Sequence, residues 1–246
     1  MLSKKELNIM RQNAKVHKKI FEEINKQAKI WTRASEIDNL CGVLCRKAWV
    51  LAWFRGVYNF PANICISIND VVVHWLPKSN IIFKNWDVVT FDFWVKDKKY
   101  GINTDAAFTI IIWENNNPKI YDLLKINKEA LYKWIQQAIV WNTIWDIWYA
   151  ISKHVETNWF FIVKDLTWHW IGKKLHEEPY VYNYWAPWKW VKLKKWMTLA
   201  IEPIVWFSSW KIIDKWDWEI YIADGSIWSQ FEHTILITDS KPEIII

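Results

Sequence analysis

At 246 residues, 52% of them hydrophobic, the chain can bury a sizeable core, as one large domain or as two fused halves. Its net charge of +6 comes from dispersed lysines, which favours a solvated basic surface over a dedicated nucleic-acid-binding face. No apolar run reaches the ~18 residues of a membrane span, and the N-terminus lacks the apolar core of a signal peptide. Three cysteines without zinc-finger spacing indicate a reduced, cytoplasmic protein.

The first half alternates between helical and strand-like patterns. Ser3 and Glu6 form a capping-box pattern ahead of a helical stripe, and a second helix is predicted over about 35–48. A strand and a turn follow in "NICISINDVVVHWLP". Two further runs, "DVVTFDFWV" and "AAFTIII", predict a hairpin across the polar loop "KDKKYGINTD".

The second half predicts two helices, at about 127–139 and 145–157, and then mostly strands. The strand-like runs are "YVYNY", "TLAIEPIVWF", "WEIYIA" and "QFEHTILIT". Because helical and strand patterns alternate along the chain and no linker interrupts them, we expect an α/β or α+β fold in a single domain, 1–246.

The composition is unusual in having 23 tryptophans and only 5 glycines. Trp86 in "KNWDVV" and Trp159 in "ETNWFF" lie where an Asn-Gly turn would be expected, and Trp196 directly precedes a strand. Such positions favour a residue that tolerates φ > 0. We therefore predict that most tryptophans are glycines in the natural protein, read from UGA codons; the alternative is a truly Trp-rich binding protein. A single loop, "YWAPWKW", holds three more of them: Trp185, Trp188 and Trp190.

Four carboxylates interrupt apolar strand-like runs: Asp92, Asp105, Glu202 and Glu232. For any one of them, an edge position, a cap or a salt bridge is the simpler explanation. Buried carboxylates are costly unless they are paired or hold a metal, and few basic residues lie in the same runs. Together with His169, in a segment predicted to be a loop, the four favour a site for Mn, Fe, Co or Zn.

Five motifs, in order, resemble those of type I methionine aminopeptidases, from about Ser3 to Ser240. They are "FPANICISINDVVVHWLP", "FDFW…TDAAFT", "WHWIGKKLHEEP", "AIEP" and "QFEHT". The third matches closely when the tryptophans on both sides of His169 are read as glycine. The resemblance implies the pita-bread fold, in which helices cover a curved, pseudo-symmetric, mainly antiparallel sheet that holds two metal ions.

By this resemblance, Asp92 and Asp105 are the metal ligands of the hairpin, and Asp105 bridges the two ions. His169 and Glu202 would bind the first ion, and Glu232 would bridge both. The ions are expected to be divalent Co, Mn, Fe or Zn. Glu202 would also move a proton from the attacking water to the leaving amine.

The resemblance also implies residues that contact the substrate. His74 corresponds to the histidine that contacts the substrate amide, and His176 to the one that stabilises the tetrahedral oxyanion. Taken alone, each would be read as a surface or core histidine. An apolar pocket for the methionine side chain would be lined by Phe60, Cys65, Leu175 and Trp218.

The implied function is removal of the initiator methionine from nascent chains whose second residue is small. We expect a cytoplasmic monomer that contacts the ribosome transiently, with no membrane partner and no dedicated nucleic-acid binding. One alternative is an Xaa-Pro dipeptidase or creatinase-like hydrolase of the same fold, which the short chain and the His74 region disfavour. The other is a non-catalytic relative that binds protein or RNA. Such relatives lose ligands, whereas all five positions are filled here.

Overall fold

The computed structural model describes residues 1–163, 167–182, 191–207, 211–214 and 220–246. The helices are α1 (Lys4–Gln27), α2 (Ala34–Ala48), α3 (Pro118–Gln137) and α4 (Ile144–Thr157). The strands are β1 (Val50–Ala52), β2 (Cys65–Ile68), β3 (Val71–Val72), β4 (Val88–Asp97), β5 (Asn103–Ile111), β6 (Phe161–Ile162), β7 (Thr167–Trp170), β8 (Glu177–Tyr182), β9 (Thr198–Ile201), β10 (Ile204–Trp206), β11 (Ile212–Asp214), β12 (Ile220–Ile222), β13 (Trp228–Gln230), β14 (His233–Leu236) and β15 (Glu243–Ile244). In these ranges, no helix combines the length and apolar character needed to cross a membrane.

The N-terminal helices begin and end where the sequence predicts. The Ser3 hydroxyl accepts a hydrogen bond from the Glu6 backbone N–H, and the Glu6 carboxylate accepts one from the Ser3 N–H, so the predicted capping box is confirmed. Helix α2 covers the predicted span. Both helices bury an apolar stripe against the first sheet, in a core that includes Ile20, Ile37, Phe91 and Val95.

The first sheet has the order β1-β4-β2, with β5 paired to β4. The predicted hairpin is confirmed, but its strands extend into the polar loop, pairing from Val88 with Ile111 to Lys96 with Asn103. Asp105 therefore lies inside β5 rather than at its start. Because side chains alternate along a strand, the Phe91 face packs on the helices and the Asp92 face points away from them.

The second half repeats this arrangement, with α3 and α4 over a sheet of order β15-β14-β9-β7-β8. Helix α4 fits its prediction, whereas α3 begins at Pro118 and not near 127. Asn117 caps α3 by accepting from the Lys119 N–H, and Pro118 occupies the first turn, where its missing N–H costs nothing. Two smaller sheets, β13-β10-β6 and β11-β12-β3, complete the described strands.

The two large sheets meet through β5 and the segment around β14. The Thr234 hydroxyl accepts from the Asp105 N–H at 2.9 Å and donates to the Asp105 carbonyl at 2.7 Å. The Glu232 N–H donates to the Ala107 carbonyl at 2.9 Å. These bonds connect the halves directly beside the acidic residues, on the face that the helices leave open.

Candidate metal centre and active site

The two aspartates of the hairpin lie on one face of the first sheet. Asp92 of β4 pairs with Ala107 of β5, and Asp105 pairs with Trp94, so the two carboxylates are diagonal neighbours. Asp105 is buried, and its Oδ1 atom has no hydrogen-bond partner in the described part of the chain. Asp92 is half-buried. The hairpin thus supplies two carboxylates, one of them with a buried oxygen that lacks a partner.

His169 lies in strand β7, so the prediction that its segment is a loop was wrong. The reason is that His169 pairs with Ala200 of β9, and a register shift between Trp168 and Trp170 relates β7 to β8 on the other side. His169 Nδ1 is 3.1 Å from the Trp170 carbonyl, to which its N–H donates. Nε2 is therefore left as the atom available to a metal.

Glu202 and Glu232 follow strand ends rather than lying within strands. Glu202 separates β9 from β10, where Pro203 cannot continue the ladder because it has no N–H, and Glu232 lies between β13 and β14. Glu202 Oε1 is 3.8 Å from His169 Nε2. The strand breaks let both carboxylates turn toward the same space as the hairpin aspartates.

The ligand atoms of Asp105, His169 and Glu232 all lie within 4.8 Å of one another. His169 Nε2 is 3.8 Å from Asp105 Oδ2. Glu232 is buried and its Oε1 atom also lacks a hydrogen-bond partner among the described residues. These observations fit a metal ion well, because oxygen ligands with one imidazole suit Mn, Fe, Co or Zn and because a cation would compensate the unpartnered oxygens.

The shifted pKa values of these side chains show that a negative charge on the buried carboxylates is energetically unfavourable. Burial, then the neighbouring Asp92 and Glu202, raise the pKa of Asp105 well above its usual value, and burial raises the pKa of Asp92 to about 7. The pKa values of Glu202 and Glu232 are raised well above normal, first by burial and then by the other carboxylates. Burial lowers the pKa of His169 to about 3, so it is a neutral imidazole. A neutral imidazole among buried carboxylates is the protonation state that metal binding requires.

His176 lies beside His169, and His74 lies near His176. The rings of His169 and His176 meet edge to face at 4.4 Å between centroids. The imidazoles of His74 and His176 both reach solvent. Desolvation by the surrounding protein is the main cause that lowers the pKa of His74, and the nearby His176 lowers it further. His169 is thus buried, whereas His74 and His176 are exposed.

The residues predicted to form the apolar pocket fall into two adjoining clusters. Phe60 and Cys65 pack together, and Leu175 packs with Trp94. Phe54 links the clusters, at 5.7 Å from Phe60 and 6.0 Å from Trp94 between ring centroids. Cys65 also pairs with Asp92, which places this apolar wall beside the carboxylates. Trp218 lies outside the described residues.

Gln230 and Thr234 support the site and were not predicted to do so, whereas the Thr109 hydroxyl is expected from the family resemblance. Gln230 Nε2 donates to Glu202 Oε2 at 3.1 Å, and the Thr109 hydroxyl donates to the Gln230 carbonyl at 2.8 Å. Thr234 bridges the backbone of Asp105, as described above. The available signal for Thr109 was its position four residues after Asp105, which puts it on the same face of the strand.

The sequence and the fold also match those of known proteins. The model of metallopeptidase family M24 matches residues 8–239. The chain belongs to metallopeptidase family M24. It is 33% identical to the methionine aminopeptidase of Clostridium acetobutylicum over 241 residues, covering 98% of this chain and 95% of that relative. The crystal structure of methionine aminopeptidase from Thermotoga maritima matches with a TM-score of 0.94 at 32% identity, covering 99% of this chain and 97% of that one.

The protein is a methionine aminopeptidase of this family, and the predicted α+β pita-bread fold is confirmed. A prolidase from Pyrococcus furiosus shares the fold alone, with a TM-score of 0.75 at 17% identity, and this chain covers 64% of it. The comparisons therefore do not support the two alternatives, an Xaa-Pro dipeptidase and a non-catalytic relative. Membership of a metallopeptidase family, together with the buried Asp-His-Glu group, implies that the M24 aminopeptidase uses metal ions.

Proposed function

We propose that this aminopeptidase removes the initiator methionine from nascent polypeptides whose second residue is small, as a cytoplasmic monomer in which the whole chain is one catalytic domain. The observation that carries the proposal is the group of Asp105, His169 and Glu232, whose ligand atoms lie within 4.8 Å of one another and which includes two buried carboxylate oxygens that have no partner among the described residues. The apolar wall beside it provides the complement to an unbranched thioether side chain.

In this proposal, two divalent ions, of Co, Mn, Fe or Zn, are held by five side chains. Asp92 and Asp105 of the hairpin would hold these ions together with His169, Glu202 and Glu232. The bound ions would supply Lewis-acid polarisation of the scissile carbonyl and would acidify the attacking water.

The remaining chemistry is assigned to side chains of the protein. Glu202 accepts the proton of the attacking water and delivers it to the leaving amine. Its Oε2 atom is fixed by Gln230, which leaves Oε1 on the side that faces His169. A carboxylate held by one oxygen keeps a defined lone pair for proton transfer, so we expect Gln230 to act by positioning Glu202.

The two exposed histidines are assigned to the substrate. His74 contacts the substrate amide, and His176 donates a hydrogen bond to the oxyanion that forms at the carbonyl. The exposure of both histidines and the edge-to-face contact between His176 and His169 support these roles. Phe60, Cys65 and Leu175 are assigned to the methionine pocket; the family resemblance adds Trp218, which lies outside the described residues.

The proposed partners are the N-termini of nascent chains. The net charge of +6 is compatible with transient contact with ribosomal RNA, but the lysines are too dispersed to predict a dedicated nucleic-acid site.

Methionine release from a Met-Ala-Ser peptide tests the proposal. Metal-free protein is mixed with Mn, Fe or Co, and we expect release only with added metal. Met-Leu-Ser serves as a control for the second residue and should be cleaved poorly. Cleavage of an Ala-Pro dipeptide in preference to Met-Ala-Ser would contradict the proposed substrate, and equal release in the presence of a chelator would contradict the metal site.

A further inference from the structure

Tryptophan dominates the left-handed backbone positions of this protein. In the described part of the chain, eleven non-glycine residues have positive φ, and seven of these are tryptophan, with φ from 60° to 83°. A side chain in this region is strained because its Cβ crowds the carbonyl oxygen, and glycine avoids this cost. Asparagine, aspartate and histidine are the other residues enriched there, and tryptophan is not among them. The seven are Trp31, Trp49, Trp86, Trp113, Trp141, Trp159 and Trp196.

These indoles gain little packing in compensation for the strain. Trp31, Trp113, Trp141 and Trp159 are 77–88% exposed. Trp49 ends helix α2 in the left-handed conformation, at φ 60° and ψ 34°, which is the usual position of a terminating glycine. The three described glycines with positive φ, Gly56, Gly101 and Gly225, have φ from 70° to 91°, in the same region. Local geometry therefore favours glycine at these seven positions.

A buried pair gives independent evidence. The ring centroids of Trp134 and Trp168 are only 3.5 Å apart with planes inclined by 47°, whereas aromatic pairs prefer ~4.5–7 Å. Neither indole N–H has a hydrogen-bond partner among the described residues. The two rings crowd each other and leave polar groups unsatisfied, directly beside the metal ligand His169.

We propose that the polypeptide made in the cell carries glycine at most positions written as tryptophan, including the seven with positive φ and position 168. A UGA codon that the cell reads as glycine produces this outcome without altering any other residue. The proposal does not depend on the enzymatic activity, because backbone conformation, exposure and ring overlap carry it.

One consequence deepens the proposed function and rests on it. The Trp94 indole is 2% exposed and fills the space beside Leu175, with ring centroids 6.0 Å from Phe54 and 6.3 Å from Trp53. This space adjoins the wall assigned to the methionine pocket. With glycine at position 94, the volume of the indole becomes available to the substrate, so the occupant of position 94 sets the size of the pocket.

Peptide masses of the protein isolated from the cells that encode it test the main proposal. We expect peptides that cover positions 141 and 159 to have the masses calculated for glycine. Tryptophan masses at both positions would overturn the proposal, whatever the enzyme's activity.

A second measurement compares full-length variants. The reference chain carries glycine substitutions at the seven positive-φ positions and at 94 and 168. A second variant carries all of these substitutions except Trp159→Gly. It should melt about 2–4 °C lower than the reference, because it keeps a strained and exposed side chain at position 159. As a control, Tyr149→Trp replaces an aromatic residue that is 51% exposed in α4 and should leave the Tm unchanged. Equal Tm values for the reference and the chain that lacks Trp159→Gly would contradict the backbone reasoning.

The pocket is tested with a chain that lacks only Trp94→Gly. It should bind Mn²⁺ like the reference but show at least about a tenfold lower kcat/KM for Met-Ala-Ser, mainly through a higher KM. Unchanged kcat/KM would remove the role of position 94. Glycine masses in the native peptides, with no methionine release by a folded, metal-binding reference chain, would instead refute the proposed substrate and leave the glycine assignment intact.

Discussion

Replacing Asp92 with asparagine tests whether folding buries this ionisable carboxylate even when no cation is bound. Burial raises the pKa of Asp92 from 3.8 to about 7 in the metal-free protein. A group whose folded pKa is raised binds its proton more tightly in the folded state. Its stabilising contribution is therefore complete below the unfolded pKa and is lost as the pH rises through 7. Asparagine cannot titrate, so Asp92→Asn should lack this loss.

The size of the effect follows from the shift. One pKa unit corresponds to about 1.4 kcal/mol, so ionised Asp92 lowers the unfolding free energy by about 4 kcal/mol above pH 7. At pH 5, only the pH interval from 3.8 to 5 contributes, so Asp92 lowers the unfolding free energy by about 2 kcal/mol. The advantage of Asp92→Asn over the parent should therefore grow by roughly 2–3 kcal/mol between pH 5 and pH 8. Because Asp92 is half-buried and keeps some access to water, these values are upper limits.

Urea unfolding in the presence of a chelator, at pH 5 and at pH 8, measures this difference. Saturating Mn²⁺ at pH 8 should then reverse the order, since the parent gains a ligand-dependent stabilisation that the variant largely lacks. A stability gap that stays constant with pH would refute the reasoning, because it would show that Asp92 titrates alike in the folded and unfolded chains.

Three further predictions concern other residues. Burial lowers the pKa of His17 to about 3, so below about pH 6.5 only the unfolded chain protonates this residue. His17 should therefore account for a loss of up to about 2 kcal/mol in the free energy of unfolding from pH 7 to pH 5, and His17→Leu should be less acid-sensitive than the parent by that amount. Equal acid sensitivity in urea titrations would count against this. Thr234→Val leaves the Asp105 backbone N–H and carbonyl without their side-chain partner, so it should lower the free energy of unfolding by about 1–3 kcal/mol. Because Asp105 is then held less firmly, calorimetry should also show weaker Mn²⁺ binding. Thr234→Ser is the control and should retain both. His176→Gln should lower kcat about 10²–10³-fold with little change in KM or in metal affinity, as for a group that acts on the oxyanion; a change confined to KM would assign His176 to binding instead.

Local chemistry allowed much of the fold to be predicted from the sequence. The first helix follows from the Ser3 and Glu6 cap, and the hairpin follows from its alternation of apolar and polar residues. The start of α3 was missed because its first turns are polar, although Asn117 and Pro118 form a recognisable N-terminal signal.

The site was harder to predict because its parts are distant along the chain. The carboxylates stood out as charges in apolar runs, but their roles came from the family resemblance. His169 was not recognised as a strand residue, since its partner Ala200 lies far along the chain and bulky tryptophans obscured the local pattern. The support of Asp105 by Thr234 joins residues 129 apart, which no local periodicity reports.

That long-range bond also bears on when the enzyme becomes competent during its own synthesis. Asp92 and Asp105 emerge from a ribosome early, whereas Glu232 and Thr234 belong to the final strands. Contacts between distant residues form late because the intervening chain must first be present and folded. A growing chain therefore holds two of the five proposed ligands before the other three have been made. We expect the acidic face of the first sheet to stay uncompensated until the last strands dock against it.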